Sequence, residues 1–353
     1  MNGFIRLISL LLFCLISIHC FSQKDTSKTK NGETDLYKAA CKLSDSAKYK
    51  DAIVLFKKAI KIKPDFTDAY NKMAFAKLKL EDYKGAEKDL QAALKIYPDN
   101  YESQKIMGIL YYETKKLKEA KATLDSASQL NTDDPELFYY KAKLMFDGKA
   151  YKNALDACNR AMELNPKYLA VIYLKGQIRF AMKDYAYCIS ELSEYIKLMP
   201  ATNPDYEAYK TRAKARFEIR DYKNAVNDWN VYIEAFPEDE EAWVSRGACK
   251  IEIIDNTGAI ADFDAAIKLN PKNPVSYNYR GVAKGENKQF VEAIKDFDYS
   301  IKLKYDYAGA FVNRAAVKFA SKDKRGACDD LNKADSLGDE MAIRLIETYC
   351  KQK

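Results

Sequence analysis

The side chains that ordinarily carry catalysis are few in this chain, and their spacing joins none of them. There is one histidine, His19, and it lies within the first 22 residues. Without that stretch the chain has no imidazole, which excludes Ser-His-Asp and Cys-His nucleophilic chemistry and every His-ligated metal site. The eight cysteines form no CxxC pair, so the spacing of a zinc or thioredoxin-like redox centre is missing. No GxxxxGK, GxGxxG or GxSxG segment occurs. Acidic pairs are scattered at the spacings of solvated helix faces. The expectation is a protein with no catalytic residue, no metal and no cofactor.

Two other spacings carry more information. Arg212, Arg246, Arg280 and Arg314 are each followed 16 residues later by Asp228, Asp262, Asp296 and Asp330. A guanidinium buried between helices needs a carboxylate, because an unpaired charge there costs several kcal/mol. The series is therefore expected to be structural ion pairs; the alternative is a row of arginines gripping an acidic ligand. The second spacing is Cys328 and Cys350, which flank Gly338 by ten and twelve residues. A glycine ending one helix and opening an antiparallel hairpin would bring the two thiols face to face, so a disulfide is expected. Cys158 and Cys188 are a weaker candidate pair, and Cys41 and Cys249 are expected unpaired.

The elements that position these residues repeat. Pro64, Pro98, Pro166, Pro200, Pro237 and Pro271 are separated by 34, 68, 34, 37 and 34 residues, each after an apolar run such as AIKIKP or YIEAFP. Proline ends a helix, so each marks the close of a second helix in a two-helix unit. In register, nine copies share a small residue early in the second helix, from Ala52, Ala86 and Ala120 to Ala327, with Cys188 in the fifth. Another small slot runs through the first helices as Ala40, Ala74, Gly108, Ala142, Gly176, Ala213, Gly247, Gly281 and Ala315. Small side chains at fixed phase let two helices cross closely.

These copies resemble the tetratricopeptide repeat. AWVSRGACKIEIIDNTGAIADFDAAIKLNP (242–271) and EAYKTRAKARFEIRDYKNAVNDWNVYIEAFP (207–237) follow the family pattern throughout, and the resemblance extends over about residues 35–338. It implies an all-α, right-handed solenoid of about nine helix pairs, with ligands held in a concave groove lined by first helices. Repeats are expected near 33–66, 67–100, 101–134, 135–168, 169–202, 206–239, 240–273, 274–307 and 308–338. A capping helix is expected at 339–353, its apolar face formed by Ala342, Ile343, Ile346 and Tyr349. Tyr195 and Tyr232 stand in place of the usual Ala of the second helix.

The amino terminus reads as an export signal over residues 1–22, with Arg6 ahead of an apolar run from Leu7 to Ile18, followed by a polar linker at 23–34. The expected location is the periplasm or cell envelope. Acylation at Cys20 is the lesser reading, since the preceding His19 is not small. A net charge of +7 over 109 charged residues describes a mixed solvated surface, so no nucleic-acid partner is expected.

By register, the groove positions include Lys105, Tyr112, Tyr139, Tyr140, Lys143, Tyr173, Gln177, Lys210, Lys214, Asn278, Tyr279 and Asn313. Such a basic, Tyr-rich groove would suit an extended peptide, tyrosine giving large contact area at little entropic cost. The expected function is a non-enzymatic scaffold in the envelope that binds a protein or peptide and supports complex assembly. The alternative is a glycan- or peptidoglycan-binding envelope protein.

Overall fold

The computed structural model describes residues 32–200 and 202–351, and the expected signal sequence, Cys20 and residues 23–31 of the linker lie outside them. Among the described residues there are nineteen α-helices and no strand. The first helices of the repeats are α1 (Gly32–Asp45), α3 (Thr67–Lys79), α5 (Tyr101–Glu113), α7 (Pro135–Asp147), α9 (Leu169–Ala181), α11 (Tyr206–Glu218), α13 (Glu240–Glu252), α15 (Pro274–Glu286) and α17 (Ala308–Ala320). The second helices are α2 (Tyr49–Ile62), α4 (Tyr83–Ile96), α6 (Leu117–Leu130), α8 (Tyr151–Leu164), α10 (Tyr185–Leu198), α12 (Tyr222–Ala235), α14 (Asn256–Leu269), α16 (Phe290–Leu303) and α18 (Lys324–Ser336). Helix α1 already begins at Gly32, inside the segment expected to be linker. The chain divides into two compact units, one ending at Met182 with α9 and one beginning at Lys183 with α10.

Local chemistry sets each helix boundary. Asn100, Asp134, Asp205, Asp239 and Asn273 cap first helices by accepting N–H bonds from the opening turn. Asp82, Asp255 and Asp323 do the same for second helices, accepting from Gly85, Gly258 and Gly326. Between the two helices of most repeats the chain turns through one left-handed residue. At Ile254 the Asp255 N–H reaches Lys250 O and the Ile254 N–H reaches Ile251 O, closing α13 with the paired bonds of a Schellman turn.

The small slots are tight. A Cβ at Gly247 would lie 2.7 Å from the Phe263 ring, and one at Gly108 would lie 2.6 Å from Leu124. The second helix thus presses a large side chain onto the bare backbone of the first. Phe56, Leu90, Leu124, Leu192, Trp229, Phe263, Phe297 and Leu331 fill this place and are fully buried or nearly so.

The end of the second unit differs from the single helix expected at 339–353. Helix α19 (Glu340–Leu345) passes into a π-helical turn at Ile346–Cys350, with Lys351 N–H bonded to Ile346 O at 3.1 Å. The wider turn changes which face packs. Ala342, Leu345, Ile346 and Cys350 meet the core, while Ile343 and Tyr349 are exposed. Cys350 is thereby brought onto α18, where it is bonded to Cys328 with the two Cα atoms 5.8 Å apart. Cys41, Cys158, Cys188 and Cys249 are buried thiols outside that disulfide, and burial pushes the Cys188 and Cys249 thiols up to about 12.

Candidate functional site

The arginine series is held inside the second unit. Arg212, Arg246, Arg280 and Arg314 grip Asp228, Asp262, Asp296 and Asp330 through Nε and Nη2, with the longest of these bonds 3.0 Å. A second cation, four residues further along the first helix, binds the same carboxylate: Arg216 at 2.6 Å, Lys250 at 2.9 Å, Lys284 at 2.7 Å and Lys318 at 2.8 Å. The remaining Nη1 reaches back to the preceding second helix, at Ser193, Asn230, Asp264 and Asp298. Each Asp is therefore a buried anion between two cations, and each Arg joins two repeats. A row used in this way is not open to an acidic ligand.

Several expected groove residues are likewise engaged within the fold. Lys105 is buried and bonds Asp134, the cap of α7, at 2.9 Å, with Glu102 and Glu136 also in range. Burial opposes its charge, yet these three carboxylates hold its pKa well above the ordinary lysine value. Lys210 bonds Asp239, the cap of α13, at 2.8 Å, and Lys214 bonds Glu241 at 2.6 Å. Asn278 is buried between Asn313 and the Tyr307 hydroxyl, and Tyr279 stacks on Phe263. Tyr112 and Tyr140 are buried, the former donating to Asp147 at 2.7 Å. The expected basic strip is therefore largely neutralised: four of its lysines lie within 4 Å of a carboxylate, Lys143 being the fourth, 3.7 Å from Glu113.

The remaining three candidates converge with Lys143. Tyr139 and Lys143 of α7 and Tyr173 and Gln177 of α9 enclose a pocket of about 210 Å³ on the first-helix face of the first unit, with Tyr112, Phe146 and Asp147 completing it. The Lys143 ammonium sits 4.6, 5.5 and 5.1 Å from the ring centroids of Tyr112, Tyr139 and Tyr140. Burial draws its pKa below the ordinary lysine value, against the pull of Glu113 and Asp147. Burial also raises the Tyr139 phenol, so it stays a neutral donor. An aromatic-walled pocket with an ammonium, an amide and a carboxylate can take one side chain of a peptide and orient it.

Sequence models of the tetratricopeptide repeat match residues 77–144 and 210–274. The chain carries tetratricopeptide repeats in these two stretches. Its structure is similar to that of YrrB, a repeat protein with an unusual peptide-binding site, at a TM-score of 0.50 and 17% identity over 53% of this chain and 95% of that one. It is also similar to PilF of Pseudomonas aeruginosa, at a TM-score of 0.51 and 16% identity over 61% and 96%. At such identities the likeness is one of fold. No curated protein matches the sequence. Tetratricopeptide-repeat proteins in general are scaffolds that bind proteins or peptides.

In this repeat protein, register alone separated the face of each helix but not which polar side chains are already bound. Two signals could have done so. The position of Lys105 and Lys210 recurs as Asn71 and Asn278, and each of the four lies 29 residues before the cap of the next first helix, the residue it bonds. Tyr195 and Tyr232 likewise send their hydroxyls to the caps Asp205 and Asp239, each at 2.9 Å. Among the described residues no group of three His, Cys, Asp or Glu is placed to hold a metal ion, and no helix is long and apolar enough to cross a membrane.

Proposed function

We propose that this repeat protein is a non-enzymatic scaffold of the cell envelope that holds an extended segment of a partner protein against the first-helix face of its first unit. The supporting observation is the pocket between α7 and α9. There Tyr139, Lys143, Tyr173 and Gln177 converge, whereas Lys105, one repeat nearer the amino terminus, is spent on Asp134. A preformed pocket lowers the ordering cost of binding, and tyrosine walls supply contact area at a low entropic cost. Export rests on the amino-terminal signal read from the sequence.

The test is affinity capture from envelope extract by the chain from residue 23. Wild type is compared with Tyr139→Ala/Tyr173→Ala and with a control on the outer side, Lys88→Ala/Lys95→Ala. The reading expects a partner protein held by wild type and the control and lost by the groove variant while that variant keeps its helical circular dichroism at the capture temperature. A partner retained by the groove variant rejects the site. Tyrosine-dependent binding on an oligosaccharide array, with no protein captured, replaces the reading by glycan recognition.

A further inference from the structure

The buried ionic seam of the second unit has a counterpart in the first that lacks charge. Counted back 139 residues along the repeat, the places of Asn230, Arg246, Lys250 and Asp262 fall to Gln91, Met107, Tyr111 and Thr123. Repeat three thus lacks both cations and the carboxylate. What stands there is a cleft of about 500 Å³ between α4 and α6, lined by these four residues and, among others, by Pro98 and Gln104. It is a shallow cleft, largely open to solvent, so an occupant would be covered on one side.

Its polar groups are neutral; Gln91 and Ser126 stand exposed at its edge, and the buried polar atom left without a partner is an acceptor. Gln104 donates through Nε2 to Pro98 O at 2.9 Å, and its buried Oε1 has no partner. Thr123 donates its hydroxyl proton to Glu119 O at 2.8 Å, leaving only acceptor capacity in the cleft. Tyr111 directs its hydroxyl out to Glu87 at 3.4 Å. No charged side chain lines the cleft. An ionic or zwitterionic ligand would have no counter-charge, and a purely aliphatic one would leave the amide oxygen unpaired. The Met107 thioether, the Tyr111 ring and the flat face of Pro98 suit an aromatic ring.

We propose that this cleft is a second binding site, on the second-helix side of the first unit, that receives an uncharged aromatic side chain bearing a hydrogen-bond donor. An indole is the best match, because it has one N–H and no acceptor. The occupant is a tryptophan of a partner protein rather than free tryptophan, whose ammonium and carboxylate nothing in the cleft would meet. The site does not depend on the peptide pocket between α7 and α9.

The probe is N-acetyl-L-tryptophanamide, titrated into the chain carrying 13C-methyl methionine. The expected result is a saturable shift of the Met107 methyl signal. The 1-methylindole analogue, which lacks the donor, should bind about tenfold more weakly, the loss of one hydrogen bond to a buried acceptor. The variant M107R/Y111K/T123D installs the seam of repeat seven. It should fold cooperatively, with some of the stability that Met107 gives by packing lost to the buried ion pair, and show no saturable binding in calorimetry. No saturable Met107 shift in wild type overturns the proposal. So does equal binding of the methylated probe, or undiminished binding by the folded triple variant.

Discussion

Lys210 of α11 holds Asp239 at 2.8 Å, and Asp239 is the residue that caps α13 in the next repeat. The side chain that register places on the ligand-facing surface instead fixes where the following first helix begins. Lys105 does the same for α7 through Asp134. Such links make the spacing of successive first helices a property of the fold, and they place titratable groups at the joints.

These joints give the stability a definite pH dependence. Burial works against the Asp239 and Asp134 carboxylates, but Lys210 with Tyr232, and Lys105 with Tyr101, outweigh it and hold both carboxyls below the usual range. A depressed carboxyl contributes stability that is complete above its unfolded value, about 3.9, and is lost as pH falls through the folded value. Asp89 has the opposite sign. Burial raises it against Lys77, so its contribution is lost as pH rises from about 3.9 through the folded value. Urea melts from pH 2 to 7 should show a flatter acid limb in Asp239→Asn than in wild type. An unchanged limb refutes the assignment.

The seam predicts a strong contrast between equivalent aspartates. Asp262→Asn strands Arg246 and Lys250, whose side chains are only 14% and 16% exposed, and should cost about 3 kcal/mol. Asp89→Asn removes a carboxylate that is in contact with one cation, Lys77, among the described residues and is already disfavoured by burial, and should cost under about 1 kcal/mol. Chemical denaturation of the two variants decides it; equal losses would show that the second cation adds nothing.

How far the sequence reaches is visible in these same residues. The period and the small slots dictate the helix pairs, because a Cβ at Gly247 would collide with Phe263 at 2.7 Å. The Arg and Asp spacing of 16 brings the ion pairs together directly. Lys250 was invisible as a partner, since a lysine four residues from an arginine on a surface helix reads as solvated. Lys105 and Lys210 were misplaced for a related reason: their partners are caps in the next repeat, and no intra-repeat pattern reports them. The pocket residues Tyr139, Lys143, Tyr173 and Gln177 were legible because tyrosine recurs at one register position of both adjoining first helices and a long polar side chain recurs one turn on.

The cysteine pair makes a chemical prediction. Unfolded in denaturant without reductant, residues 32–351 should take up four alkyl groups, at Cys41, Cys158, Cys188 and Cys249, and six after reduction. Cys328→Ser/Cys350→Ser should lose about 3 kcal/mol, the entropy of closing a loop of 22 residues in the chain-constraint account. Six additions without reductant would show that the bond does not form.

The turn between α13 and α14 offers the opposite kind of change, one that should stabilise. Among the described residues nine non-glycine residues have positive φ, Ala47, Glu81, Lys115, Lys149, Lys183, Arg220, Ile254, Lys288 and Lys322, and Ile254 alone of these nine is β-branched. Its φ is +63° and its side chain is 83% exposed, so no packing offsets the clash of Cβ with its own carbonyl. A left-handed conformation costs an L-residue roughly 1–2 kcal/mol, and glycine relieves it at an entropic cost of roughly 0.5–1 kcal/mol. Ile254→Gly should therefore raise stability by about 0.5–1 kcal/mol, and Ile254→Asn by less, since asparagine tolerates the region without being free of strain. The Schellman bonds of Asp255 to Lys250 and Ile254 to Ile251 are backbone bonds and survive either change. A melting temperature that falls in Ile254→Gly would mean that the isoleucine side chain contributes contacts exceeding the strain, and the turn would then have to be read as a packed element rather than an exposed one.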